Sequence, residues 1–492
     1  QKRRTSLACL VARRAQVWLL DEPHAGLDAA GLDTSHLMFM QSNGGLVDES
    51  LFRGKDSILS GPAGGVVGMV SASGPTGGDR LIGFDMGGTS TDVALIQGGQ
   101  PRLRRETTVG DVTVRASSVD IRTVGAGGGS IAHVPELTKA LRVGPQSAGA
   151  DPGPAAYNRG GTEPTVADAN IVLGYLPAMQ KLGGDMVLNR ELAQTAVKKV
   201  GDALGLNVKQ AAQGIYNIVN ENMVGALRLV SVEQGYDPRD YALIAFGGAG
   251  PLHANALSRL LGSWPSIIPP GPGVLCALGD ATTAVRDERA RTYVRRFSET
   301  NAKEIEKILK TLAADASKGL EEEGVSKNEI TTSYQVDLRY HGQGLRLAVE
   351  VNLKDLQKKG LKAISDQFDE EHKRLFTFAL PLEHELVTLR AAVQGQGIKI
   401  KRQPLAKGGT DPKAAAVGKQ KSFMEGKDVT AIVYDRAKLK AGNKVRGPAI
   451  VMEMDSTSVI LPKHTGHVDK SGCILIYPDN YKAPKKAAGK RK

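Results

Sequence analysis

Cysteine is scarce in this 492-residue chain: Cys9, Cys276 and Cys473 are odd in number and show no Cys-x-x-Cys spacing. That excludes a disulfide framework and a cysteine zinc site, and it points to a reducing compartment. No apolar run approaches the ~20 residues that a membrane-crossing helix needs, and no signal peptide is visible. The expectation is a cytoplasmic protein with no membrane partner. A phosphate loop of the form GxxxxGK[ST] is also missing, which excludes the P-loop route to a nucleotide.

Excess charge is absent from the body of the chain despite a net charge of +12. Residues 1–14 carry five of these charges (Lys2, Arg3, Arg4, Arg13, Arg14) and residues 481–492 carry six, with no acid in either stretch. A single excess positive charge remains for everything between. A broad nucleic-acid footprint is therefore excluded, and the basic end reads as a solvated, disordered tail. What is abundant is glycine, 58 residues, which suits a protein with several loops built from backbone. A hydrophobic content of 41% is enough for two or three domains with real cores.

Residues 84–92, Phe-Asp-Met-Gly-Gly-Thr-Ser-Thr-Asp, lie between the apolar runs Leu81-Ile82 and Val93–Ile96 and read as strand, glycine turn, strand. Gly87 and Gly88 let backbone N–H groups approach an anion without a Cβ in the way. Thr89, Ser90 and Thr91 offer hydroxyls, and Asp85 and Asp92 offer carboxylates for Mg²⁺ and its water. The pattern is a phosphate-gripping hairpin, with ATP as the first hypothesis. Further on, Ala245-Phe246-Gly247-Gly248-Ala249-Gly250-Pro251-Leu252-His253 runs from a strand at 241–245 into a helix. Other glycine-rich turns stand at 60–65, 124–130, 151–154 and 160–165. A helix is expected over 66–72, and a helical region with a core-facing stripe (Ile215, Ile218, Val219, Met223, Ala226, Leu227, Val230) over 190–235. Helices are also expected at 301–320, with Gly319 as a stop signal, and at 361–376. Alternating strands flank His341-Gly342-Gln343-Gly344, and 429–477 reads as a small β sandwich or barrel-like cap.

The hairpin together with the later strand–glycine turn–helix resembles the actin/hexokinase/Hsp70 (ribonuclease H-like) nucleotide folds. The implied class is α/β, with an α+β, β-rich C-terminal domain. Residues 17–28 resemble the Walker B strand and D-loop of ABC-transporter ATPases, where the positions of Asp21 and Glu22 hold Mg²⁺ and polarise water. Without a phosphate loop they read as a fragment without ATPase function. The expected organisation is an ABC-like fragment (1–33), an ATP-binding domain (34–291), an α+β connecting domain (292–398), a linker or loop (399–421), a β-rich C-terminal domain (422–480) and a basic tail (481–492).

Several ordered motifs carry a family resemblance: Gln41-Ser42-Asn43-Gly44-Gly45, Leu59-Ser60-Gly61-Pro62-Ala63-Gly64-Gly65, the hairpin, Asp120–Ser130, Ser147–Pro154, Pro164–Asn170 and Phe246–Ala254. Val336–Gly344, Arg446–Ile450 and Asp455-Ser456-Thr457 follow in the C-terminal part. The whole resembles the hydantoinase A/5-oxoprolinase family. The resemblance implies the A component of an ATP-dependent cyclic-amide hydrolase that phosphorylates the amide oxygen, with ATP and Mg²⁺ as cofactors. It implies an oligomer, with a B-type subunit or domain and a small cyclic amide as partners. On this resemblance Asp85, Asp92 and Asp120 are catalytic candidates, with Asp85 also the metal ligand. Gly87, Gly88, Thr89, Ser90 and Thr91 grip phosphates, and Gly247, Gly248, Ala249 and Gly250 line the adenosine. Asp151 and Asp168 are read as substrate contacts or turn and cap residues, and His253 as a ligand contact or a packed histidine. The family normally carries an earlier Asp-x-Gly-Gly-Thr hairpin that grips the phosphates from the other side, and none precedes Asp85, so weakened ATP binding is expected. Two alternatives stay open: a ketone-activating subunit of the acetone carboxylase type, and an inactive or non-catalytic interaction protein.

Overall fold

A computed structural model describes residues 38–48, 51–73, 78–177, 181, 183–184, 186–397 and 403–482. The ABC-like stretch 1–33 with Asp21 and Glu22, Cys9, and all but the first two residues of the basic tail lie outside the described residues. The described residues fall into two compact units, each assembled from three stretches. One draws on 68–103, 119–276 and 403–482, the other on 38–67, 104–118 and 277–397.

In chain order the first of these units contains β1 (Arg80–Met86), β2 (Thr91–Gln97), β3 (Ile121–Val124), α1 (Val166–Val172), α2 (Arg190–Leu204), α3 (Val208–Val230), β4 (Ala242–Phe246), α4 (Gly250–Leu261) and β5 (Ser266–Ile268). From the C-terminal part it takes β6 (Ala416–Met424), β7 (Lys427–Asp435), β8 (Lys444–Arg446), β9 (Ala449–Met452), β10 (Thr457–Ile460), β11 (His464–Val468) and β12 (Ile474–Pro478). A nine-stranded sheet runs β3-β2-β1-β4-β5-β12-β11-β8, with Gln100–Pro101 paired beside β2. β1 and β4 are parallel, as are β4 and β5, while β2 and β3 run antiparallel to their neighbours. Leu81, Ile82 and Phe84 of β1 and Leu243, Ile244 and Ala245 of β4 are wholly buried, because central strands are covered on both faces.

Helices α3 and α4 cover this sheet. The Asn207 side chain caps α3 by accepting from the N–H of Gln210, and Gln210 reaches back to the Asn207 N–H. Ile215, Val219, Met223, Ala226, Leu227 and Val230 are buried along one stripe, as their spacing predicts; Ile218 is half-buried. The helix expected over 66–72 extends over Ser60–Ser73.

The small cap expected at 429–477 is not a separate body. β12, β11 and β8 extend the hairpin's own sheet beyond β5, and β6-β7-β9-β10 form a second sheet in the same unit. The expected linker 399–421 also needs correction, because β6 begins at Ala416 and pairs along its length with β7. Its Lys- and Gly-containing sequence lacks the hydrophobic alternation that marks a strand, and the partner strand supplies the ladder instead.

The other unit carries a four-stranded antiparallel sheet in the order 286–296, 384–394, 331–340, 347–350. The helix Ala302–Glu322 buries Ile305, Leu309, Ala313, Ala316 and Leu320. It runs through Gly319, the expected stop. A helical glycine costs about 1 kcal/mol relative to alanine, and burial of Leu320 outweighs that. The turn comes instead at Gly324, whose φ is +86°. Among the described residues no helix is long and apolar enough to cross a membrane.

Candidate nucleotide site

The hairpin forms as the sequence requires. β1 and β2 pair in register from Arg80↔Gln97 to Met86↔Thr91, and the Gly87 N–H donates to the Ser90 carbonyl at 3.0 Å to close the turn. Gly88 and Thr89 are exposed at the tip. The N–H groups of Gly88, Thr89 and Ser90 bond to no backbone carbonyl among the described residues, which leaves three donors of one turn without a backbone partner. Thr91 points inward instead. It is fully buried, and its hydroxyl donates to the Ala126 carbonyl, so it anchors the hairpin rather than a ligand.

The loop 125–130 is the floor of this turn. The Gly128 N–H donates to the Gly87 carbonyl at 3.0 Å and the Gly129 N–H to the Gly88 carbonyl at 2.6 Å. A Cβ on Gly127 would stand 2.6 Å from the Thr89 backbone, so only glycine permits the approach. The Gly128 carbonyl accepts from Ala167 of α1 at 2.7 Å, which ties the turn to a capped helix. Thr165 and Asp168 form that cap. The Asp168 carboxylate is wholly buried and accepts from the N–H groups of Ala155, Ala156 and Thr165 and from the Thr165 hydroxyl. It is a capping residue.

Asp85 and Asp92 are directly opposed across the base of the hairpin, a register that places their Cβ atoms about 5 Å apart. Burial pushes the Asp85 carboxyl up to about 6; a hydrogen bond from Cys276 opposes this and the charge of Asp92 adds to it. Burial also raises Asp92, against a hydrogen bond from the Thr123 hydroxyl. Two acids placed opposite each other repel when both are ionised. Among the described residues no group of three or more His, Cys, Asp or Glu side chains gathers to hold a metal.

The second glycine turn closes over Asp85. Phe246 of β4 lies opposite Asp85 of β1. Gly247 follows at φ +79°, where a Cβ would meet Asp85 Oδ1 at 2.2 Å and the Met86 carbonyl oxygen at 2.5 Å. The N–H of Gly247 donates to the Pro272 carbonyl and that of Ala249 to the Met86 carbonyl, so both are committed to the scaffold. Gly250 is buried against Phe84 and Met86, whereas Gly248 is exposed. Of the four expected adenosine-lining residues, Gly248 is thus the exposed one, Gly247 and Ala249 are half-buried and Gly250 is buried.

Other expected residues stand apart. Asp120 precedes β3, whose Val124 lies opposite Thr91 beside the turn and whose Ile121 lies opposite Ala94. Asp92 lies opposite Thr123, three residues of strand or about 10 Å from Asp120, and Asp120 pairs with Arg122 at 3.8 Å. The sheet does not bring Asp120 to the Asp85–Asp92 pair. Asp151, in an exposed turn, precedes a cis proline. His253 is wholly buried, stacked on Tyr216, with Nδ1 2.8 Å from Asn220 Oδ1 and Nε2 3.3 Å from Asn170 Nδ2. Burial holds it down to about 3, so it is a neutral packed histidine at any physiological pH.

Two neighbours escaped the sequence reading. Cys276, in the opening turn of the helix Leu275–Thr282, donates its thiol to Asp85 Oδ2 at 3.3 Å. Asp455 Oδ2 accepts from the Gly273 N–H at 2.8 Å, while Ser456 Oγ donates to the Gly248 carbonyl at 3.2 Å. The Asp-Ser-Thr motif thereby seats against the glycine turn. Contacts spanning 180 to 210 residues leave no local pattern; the motif's place among the family blocks was the one available signal.

The hydantoinase/oxoprolinase family profile matches residues 24–289, and the profile of the hydantoinase/oxoprolinase C-terminal domain matches 294–474. Caprolactamase subunit alpha of Pseudomonas jessenii is 34% identical over 452 residues, covering 89% of this chain and 64% of that protein. The crystal structure of the ATP-dependent caprolactamase from Pseudomonas jessenii superposes with a TM-score of 0.81 at 33% identity, over 90% of this chain and 65% of the other. The nucleotide-free structure of acetone carboxylase superposes at 0.72 with 26% identity, over 90% and 64%. The chain therefore spans just under two thirds of the length of these relatives. With these neighbours, the α/β architecture is the expected actin-like ATPase fold. The chain belongs to the hydantoinase/oxoprolinase family.

Proposed function

We propose that the chain acts as the ATP-binding A component of an ATP-dependent cyclic-amide hydrolase. The observation that carries this reading is the Asp85–Asp92 pair at the base of a glycine turn with three N–H groups that bond to no backbone carbonyl among the described residues. The carboxylates suit a divalent cation because their mutual repulsion and burial are relieved by positive charge. Mg²⁺ keeps most of its water and needs only one or two protein carboxylates, so a pair is sufficient. ATP would supply the phosphoryl group that turns the amide oxygen of an unreactive lactam into part of a leaving group.

The chain's own residues then have distinct tasks. The N–H groups of Gly88, Thr89 and Ser90 stabilise phosphate charge without reorganising. Asp85 holds the metal and its water, and Gly247 and Cys276 fix the direction of its carboxylate. Asp92, oriented by Thr123, provides the second negative charge. Gly248 presents an exposed backbone surface at the adenosine side. A partner B-type subunit or domain would complete hydrolysis; the caprolactamase relative is itself a subunit alpha, which favours a multi-subunit assembly.

The test is ATP turnover by the chain with its partner, in the presence of 5-oxoproline, a hydantoin or caprolactam, and separately of acetone with bicarbonate. Stimulation by a cyclic amide supports the reading. Stimulation only by the ketone would move the chain to the carboxylase branch, and no nucleotide binding at millimolar Mg²⁺-ATP would exclude both.

A further inference from the structure

A cavity of about 460 Å³ lies between α3, α4 and the β6–β7 turn in the hairpin's unit. Its α4 residues, Ala256 to Leu260, stand six to ten positions beyond Gly250, roughly 9–15 Å along the helix from the glycine turn. It is a different place from the nucleotide site.

The lining is mixed: Tyr175, Tyr216, Ala256, Leu260 and Leu461 give it an apolar wall, and charged side chains of both signs stand on it. Arg259 and Glu425 form an ion pair at the mouth, and Glu221 stands across α3. Both partners of the pair are more than a third exposed, so their mutual attraction is worth only ~0–1 kcal/mol and yields readily to a competing ligand. On α3, Gln213 Nε2 donates to Asn217 Oδ1 at 2.9 Å, while Gln213 Oε1 is buried without a partner among the described residues. Tyr175 is 1% exposed, and the Tyr216 hydroxyl donates to the Leu252 carbonyl at 3.5 Å. A buried polar group without a partner costs on the order of 1–3 kcal/mol, which a ligand recovers. Glu425 itself is held at φ +52°, in a two-residue turn with Gly426 at +78°. A left-handed non-glycine residue is unfavourable there by about 1 kcal/mol or more, and strain of this kind gathers where a side chain is presented for a purpose.

We infer that this cavity binds a small zwitterionic amino acid, its carboxylate on Arg259 and its ammonium group on Glu221 and Glu425. Opening a cyclic amide creates one carboxylate and one amine on the same molecule, so the natural occupant is the product of the proposed reaction. The identity of the occupant rests on that proposed function; the chemistry of the cavity does not. The site would let accumulated product act on the unit that holds ATP.

Calorimetric titration of the full chain with L-glutamate and with 6-aminohexanoate tests this. Acetate, methylammonium and AMP serve as separate probes. The expected result is saturable binding of at least one amino acid, weakened at least tenfold by Arg259→Ala and by Gln213→Leu, and unchanged in Asp85→Asn. Arg259→Lys and Glu221→Gln serve if the larger truncations fail to fold; Glu221→Gln should weaken binding and Arg259→Lys should retain part of it. No saturable heat with either amino acid overturns the inference, as does binding that these variants leave unchanged. Displacement of the amino acid by AMP would instead make the cavity a nucleotide site. Failure of Mg²⁺-ATP to bind in its own titration would count against the proposed function alone.

Discussion

Asp85 is the residue whose protonation the fold disturbs most usefully. Its unfolded carboxyl titrates near the ordinary aspartate value of about 3.9, its folded one at about 6. Between those values the folded chain holds the extra proton, so this group's contribution makes stability fall as pH rises through the window and level off above it. Asp85→Asn removes the burden. Chemical denaturation should show a gain of about 1–3 kcal/mol at pH 7.5 that vanishes near pH 4, with nucleotide-dependent activity lost. His253 works in the opposite sense: its depressed value makes stability rise with pH from about 3 to the ordinary imidazole range. The comparison of Asp85→Asn with wild type isolates the carboxylate. Gly247→Ala should reorient Asp85, because the new methyl meets Oδ1 and the Met86 carbonyl in a backbone region that L residues avoid. Expected are about 2–4 kcal/mol of lost stability and loss of ATP binding, read by thermal denaturation with and without Mg²⁺-ATP.

At the scale of elements, the turn depends on its floor. Gly127→Ala drives a methyl into the Thr89 backbone and should lower stability by at least about 1–3 kcal/mol. Asp168→Ala should cost about 2–4 kcal/mol from the lost cap and the orphaned N–H groups. Steady-state constants per folded molecule should stay near wild type; a large fall in kcat in fully folded protein would give Asp168 a chemical role instead. Much of this was legible in the sequence. Two glycines between apolar runs, a Gly-Gly-Ala-Gly turn before a helix, and the three- and four-residue spacing of α3 are local patterns with local causes. The contacts of Cys276 and Asp455 were not legible, although Asp455 stands in a family motif, since each meets the site across more than 180 residues. Asp120 looked equivalent to Asp85 and Asp92 because composition shows carboxylates but not register. Gly319 looked like a helix end because its propensity is visible and the burial of Leu320 is not.

At the scale of the molecule, strand partnership was the hidden variable. Short alternating runs at 444–478 announce strands without announcing their sheet, and three of them complete the one that carries the hairpin. Ile474, Ile476 and Val445 are buried in the core of that unit, alongside Ile82 and Leu243. Removing residues 444–482 should therefore unfold the nucleotide unit rather than trim a cap, seen as loss of near-ultraviolet circular dichroism and of Mg²⁺-ATP-dependent stabilisation. A truncated chain that kept both would show the sheet to be self-sufficient at β5. In the proposed function, paired carboxylates beneath the glycine turn hold the metal of bound ATP. The most direct test is ATP affinity measured against Mg²⁺ concentration in wild type and Asp85→Asn. Mg²⁺-dependent binding is expected in wild type, weakened at least tenfold in the variant; equal affinity in the two proteins, or binding indifferent to Mg²⁺, would contradict a metal held by these carboxylates.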